Sequence, residues 1–115
     1  MLVDLKTILA DTREKHYAVG LFNCVTLEMT KGILAAAEEW HSPVIIGPAE
    51  SLLPGASLAE YADMMLGMAR RAGVPVALHF DHGFTPELVE EAIRLGFSSV
   101  MYDCSMLPFE ENVRR

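Results

Sequence analysis

Cysteine is scarce: the 115-residue chain carries two, Cys24 and Cys104, too few for the disulfide framework that staples small secreted domains. Basic residues are sparse as well. Nine Lys and Arg stand against sixteen Asp and Glu, a formal net charge of −7, and the basic doublets are only Arg70-Arg71 and Arg114-Arg115. Phosphate backbones are held by clustered basic side chains, so nucleic acid is excluded as the main partner. No apolar run approaches the ~20 residues that span a bilayer. Residues 1–15 carry charge every few positions, unlike the continuous apolar core of a secretory leader. The expectation is no membrane association and a reduced, cytoplasmic compartment. Lysine occurs only at Lys6, Lys15 and Lys31. Internal repeats, low-complexity tracts and linker-like stretches are missing too, so residues 1–115 read as one unit.

What is present is apolar and regularly interrupted. The chain is 51% hydrophobic and 22% charged, a globular composition. Leu5, Ile8 and Leu9 recur at helical spacing and predict an opening helix over residues 3–15. Residues 18–22 form a short apolar run, expected to be a buried strand. Thr26 can cap a helix carrying Leu27, Ile33, Leu34 and Ala37 on one face, and this helix ends near Trp40. Val44, Ile45 and Ile46 make a second strand. A turn-rich stretch with Gly47, Pro48, Pro54 and Gly55 follows. Ser57 and Glu60 have the spacing of a capping box, opening a helix with Leu58, Tyr61, Met65, Met68 and Ala72 on one face and Gly73 as its stop. Residues 76–80 are the third strand. Thr85 and Pro86 supply an N-cap and an N1 proline, Gly96 ends that helix, and residues 99–102 are the fourth strand. The runs show little alternation, as in a parallel sheet covered on both faces. Helices between the strands make the class parallel α/β.

In such folds chemistry gathers at the C-terminal ends of strands. Asn23 follows the first run, Asp81-His82-Gly83 the third, and Asp103 the fourth. Alternation along the third strand places Ala77, His79 and Asp81 on one side and Val76, Leu78 and Phe80 on the other. Asp81 then overlooks the sheet's mouth, with His82 at the strand-to-loop junction. A carboxyl can move a proton and an imidazole can hold zinc. Plainer roles remain open here: Asp81 as a turn cap, His79 as a satisfied core histidine, Asp103 and Asn23 as turn residues, Cys24 and Cys104 as small buried hydrophobes.

Six collinear stretches carry a likeness that a lone Asp-His-Gly could not. They are Tyr-Ala-Val-Gly-Leu-Phe-Asn (17–23), Leu-Glu-Met (27–29), Ser-Pro-Val-Ile-Ile (42–46), Val-Pro-Val-Ala-Leu-His-Phe-Asp-His-Gly (74–83), Gly-Phe-Ser-Ser-Val-Met-Tyr-Asp (96–103) and Leu-Pro-Phe-Glu-Glu-Asn-Val (107–113). The chain thereby resembles the N-terminal part of the class II, metal-dependent fructose-bisphosphate and tagatose-bisphosphate aldolases. That resemblance implies a (β/α) barrel of TIM type, of which only the first four strands are present, since a complete one takes roughly 250 residues. It implies Asp81 as the catalytic Asp, His82 as the first zinc ligand, Asp103 at a second metal position or orienting the site, and Asn23 near the substrate. It implies Zn²⁺ as cofactor, with the remaining ligands beyond residue 115, and a small sugar phosphate as substrate. No lysine follows any strand, in keeping with metal rather than Schiff-base chemistry.

Three departures from the family pattern bear on the substrate. The run after the first strand is Asn23-Cys24-Val25-Thr26. The loop after the second is Gly47-Pro48-Ala49-Glu50-Ser51, where a Glu50 carboxylate facing the mouth would repel a phosphate. Met106 stands where a His is usual. Incompleteness carries further expectations: the isolated chain is not an active aldolase, and its open edges lead it to associate with another copy or with a missing C-terminal half, or to be poorly soluble. The alternatives are a small flavodoxin-like signalling or binding domain and a non-catalytic half-barrel.

Overall fold

Each apolar run of the sequence becomes one rung of a single parallel sheet. In chain order the elements are α1 (Leu5–Ile8), α2 (Thr12–Lys15), β1 (Leu21–Asn23), α3 (Leu27–Glu39), β2 (Val44–Gly47), a 3-10 turn (Glu50–Leu52), α4 (Leu58–Arg71), β3 (Val76–Gly83), α5 (Pro86–Leu95), β4 (Ser99–Tyr102) and α6 (Phe109–Arg114). The computed structural model describes residues 1–53 and 56–115. The turn expected at Pro54 and Gly55 lies outside the described residues. The strands lie in the order β1-β2-β3-β4, each parallel to the next. This is the order of half a TIM-type (β/α) barrel. It excludes the flavodoxin-like alternative, whose strand order is 2-1-3-4-5. The molecule measures 43 × 38 × 20 Å, a slab two layers thick.

Local chemistry sets the helix ends. The Thr26 hydroxyl accepts from the Met29 amide. Ser57 and Glu60 exchange side-chain and backbone hydrogen bonds across the first turn of α4, which satisfies amides that have no intrahelical partner. Gly96 ends α5 in the left-handed region, at φ 98°, where a Cβ would be penalised. The last residue of α4 is Arg71 and its C-cap is Ala72 in an extended conformation, so Gly73 is not needed as a left-handed stop.

Two expectations are corrected. The opening helix is not continuous over 3–15. Residues 1–3 are extended, with Val3 N donating to Val76 O and Val76 N to Met1 O. Asp4 then caps α1 and a turn separates it from α2. Pairing at the N-terminal end of β3 wins over helical periodicity, because these residues can satisfy a strand that lies inside the sheet. The first strand is also shorter than 18–22 and is not buried: Leu21 and Phe22 are 40% and 50% exposed. It is an edge strand, paired on one side only, to β2.

Two apolar clusters follow from the alternation of side chains. On the outer face, Val44, Ile46, Val76, Leu78 and Phe80 pack against Leu34, Leu58, Met65 and Ala92 from the helices. On the inner face, Ile45 and Ala77 pack against Ile8 of α1, with Val3, Leu5 and Val19 around them. The inner face is thus plugged at its N-terminal end and polar at its C-terminal end.

Candidate active site at the strand ends

β3 delivers two consecutive side chains to the same mouth by breaking its own alternation. Phe80 pairs with Val100 and Gly83 with Tyr102, so two residues of β3, Asp81 and His82, face the single Met101 of β4. This is a β-bulge, the device that re-aims side chains beside active sites. His82 takes up the irregularity in the left-handed region, at φ 46°. A non-glycine residue held there costs about 1–3 kcal/mol and persists only where neighbours over-determine it. Gly83 completes the turn; a Cβ at this position would lie 2.6 Å from Val89 Cγ2 and 3.0 Å from the Met101 carbonyl oxygen.

The four residues singled out from the sequence come together. Asn23 Nδ2, at the end of β1, donates to Asp81 Oδ2 at 3.0 Å. His82 Nδ1 lies 2.5 Å from Asp103 Oδ2, and His82 Nε2 lies 3.9 Å from Asp81 Oδ1. The second oxygen of Asp103 accepts from the Ser105 amide at 2.9 Å. Asp103 is buried behind the ring, whereas the His82 side chain is half-exposed. The hydrogen bond from His82 pulls the Asp103 pKa down to about 2, helped by Ser105. The same bond raises the His82 pKa, with Asp81 adding to it.

His79 joins this group, which its reading as a core histidine did not foresee. It is buried, as that reading required, with Nδ1 2.7 Å from Ser99 Oγ on β4. Its Nε2, however, stands 3.6 Å from Asp81 Oδ1. Burial lowers its pKa, opposed by the Asp81 charge. The i, i+2 spacing of His79 and Asp81 was the available sign that both share the inner face. Cys24 and Cys104 are buried and unpaired, as small hydrophobes should be.

Could this group hold a metal? His82 fits as one ligand: Asp103 engages Nδ1, fixing the ring and leaving Nε2 on the open side, the arrangement common around zinc-binding imidazoles. Among the described residues, no three His, Cys, Asp or Glu side chains converge on one metal position. Catalytic zinc takes three protein ligands, so the described residues do not by themselves make a catalytic zinc site.

A parallel half-barrel with a buried carboxylate and an oriented imidazole at its C-terminal mouth is the N-terminal architecture of a (β/α)-barrel protein. More particularly, the chain belongs to the class II fructose-bisphosphate aldolases: residues 3–115 match the family model described as "Fructose-bisphosphate aldolase class-II". It is 41% identical over 114 residues to the Escherichia coli K12 protein YdjI, covering 99% of this chain and 41% of that one. The crystal structure of the YdjI aldolase superposes with a TM-score of 0.94 over 99% of this chain and 43% of the crystallised chain. Identity is 44% over 114 residues to the 6-phospho-5-dehydro-2-deoxy-D-gluconate aldolase of Bacillus licheniformis, covering 96% of this chain and 39% of that enzyme. It is 44% over 115 residues to the fructose-bisphosphate aldolase of Staphylococcus aureus, covering 97% and 40%. The chain spans about two fifths of the length of these relatives. Among the described residues no helix is long and apolar enough to cross a membrane.

Proposed function

We propose that this chain is the N-terminal portion of a zinc-dependent ketose-bisphosphate aldolase, cleaving fructose or tagatose bisphosphate to dihydroxyacetone phosphate and glyceraldehyde 3-phosphate. The observation that carries the reading is the Asn23–Asp81–His82–Asp103 group at the ends of three strands. Asn23 occupies Asp81 Oδ2, which leaves Oδ1 as the oxygen that takes the substrate's hydroxyl proton in cleavage and returns it to the aldehyde oxygen in condensation. Burial lowers the His79 pKa, which favours the neutral ring beside that carboxylate. His82 Nε2 is the atom that would hold zinc, and Asp103 keeps its ring in place. Zinc, when bound, supplies the Lewis acid that polarises the substrate carbonyl. The Glu50 carboxylate is engaged by the Phe84 and Thr85 amides and the Thr85 hydroxyl, which offsets part of the repulsion it would offer a phosphorylated sugar.

Barrel completion is part of the proposal. Beside β1, an apolar groove of about 700 Å³ runs between Phe22, Ile33, Ala36 and Trp40. At the other edge α6 exposes Phe109 and Val113. Either a second copy or a C-terminal half of the same protein covers these edges.

A chimera tests the reading. This chain replaces the matching portion of the Staphylococcus aureus fructose-bisphosphate aldolase, and cleavage of fructose and tagatose bisphosphates is assayed with zinc. The chimera turns over, the isolated chain does not, and Asp81→Asn lowers kcat by about 10²–10⁴-fold with zinc content unchanged. Turnover by the isolated chain, or a wild-type kcat in the Asp81→Asn chimera, would sink it.

A further inference from the structure

Glu50 belongs to the loop after β2, yet its carboxylate serves the loop after β3. Its Oε2 accepts from the Phe84 amide at 2.6 Å and the Thr85 amide at 3.2 Å, and its Oε1 accepts from the Thr85 hydroxyl at 3.2 Å. These donors precede the first turn of α5, which begins at Pro86, so the contact does not cap that helix; it ties down the segment leading to it. Thr85, expected as a side-chain cap, makes no such bond; its hydroxyl donates to Glu50.

The same loop grips β3 on the other side of His82. Pro48 O accepts from Asp81 N at 3.0 Å, and Ala49 bridges to Asp81. Gly83 O accepts from Asp103 N at 2.8 Å. Asp81, Gly83, Phe84 and Thr85 are each anchored through the backbone, and between them lies His82, held in the left-handed region.

We infer that Glu50 is a positioning residue whose carboxylate clamps the β3–α5 turn and so holds His82 in the bulged conformation that points its ring at Asp103 and Asp81. This rests on the reading of Asp81 and His82 as the reactive pair. Charged acceptors make the stronger hydrogen bonds, and one group accepting three donors across two loops leaves the turn little freedom.

The test is nuclear magnetic resonance on the full 115-residue chain, with Glu50→Gln and Glu50→Ala, and Leu34→Ala as a control that weakens the core without touching the loop. Clamp loss in Glu50→Ala speeds amide exchange at Phe84 and Thr85 by about 10–100-fold. It also moves the His82 ring-nitrogen shifts away from those of the Asp103-bonded ring, whereas Leu34→Ala leaves those shifts in place. Glu50→Gln keeps the volume and one acceptor oxygen, and gives a smaller change in the same direction. It decides the matter if Glu50→Ala does not fold. Unchanged His82 shifts and unchanged Phe84 and Thr85 exchange in Glu50→Gln would overturn the inference. These readouts need no turnover, so an inactive chimera would end the aldolase reading while leaving the clamp measurable.

Discussion

The two middle strands and the two outer ones were built from similar apolar runs, and they end in different environments. β2 is buried at every residue and β3 along its first five, with Ile46, Val76, Leu78 and Phe80 sealed under α3, α4 and α5. β1 and β4 carry no fully buried residue. Composition does not separate Leu21-Phe22 from Ile45-Ile46. What separates them is the number of neighbours: β2 and β3 have a strand on each side and helices over the outer face, whereas β1 and β4 each have a single paired side. Apolar sequence expresses a demand for burial, and in this chain only the central pair has that demand met from within.

The sharpest way to break this comparison is truncation at matched positions. Phe80→Ala, in the sealed centre, removes a side chain in edge-to-face contact with Phe97 and is expected to cost about 3–5 kcal/mol in denaturant unfolding. Phe22→Ala at the open edge is expected to change the isolated chain by less than about 0.5 kcal/mol, and to weaken the completed chimera instead. Equal costs at both sites would mean that the edges are covered in solution.

A smaller effect tests the scaffold that carries the centre. Ser57→Ala removes half of the reciprocal cap on α4 and is expected to lower stability by about 1 kcal/mol. A larger loss would show that α4 depends on its first turn more than on its packing.

The mildest prediction concerns pH. Asp103 is depressed from 3.8 to about 2, so its contribution to stability is present above 3.8 and is lost as pH falls towards 2. His82 is raised from 6.5, so its contribution is full below 6.5 and is lost as pH rises through the folded value. Together they place the pair's stabilisation at its maximum between 3.8 and 6.5. Denaturant midpoints measured across this range should show that maximum flatten in Asp103→Asn. A profile identical to wild type would mean that the pair contributes nothing in solution, as with many exposed ion pairs.

Much of the framework was legible from local chemistry. The capping box at Ser57-Glu60, the Gly96 stop and the strand-helix alternation each follow from nearest-neighbour rules, and the strand-end position of Asn23, Asp81 and Asp103 follows from the alternation. The split opening helix was not legible, because pairing of Leu2 with Val76 joins residues 74 positions apart. Nor was the exposure of β1, which reflects what lies beside it. The bulge escaped for a related reason: it is set by contacts from other strands' ends, with Pro48 O on the Asp81 amide and Asp103 on the His82 ring. Glu50 looked like a possible neighbour of substrate; only the folded loops show which way it turns.

The bulge in β3 changes the parity of the strand. In a regular strand, odd and even positions belong to opposite sides, so a carboxyl and an imidazole on successive residues could never serve one compartment. One surplus residue in β3 suspends that rule for a single step. The two residues between Phe80 and Gly83 are the carboxyl and the imidazole themselves, so regaining regular pairing by shortening β3 there would remove one of the two outright.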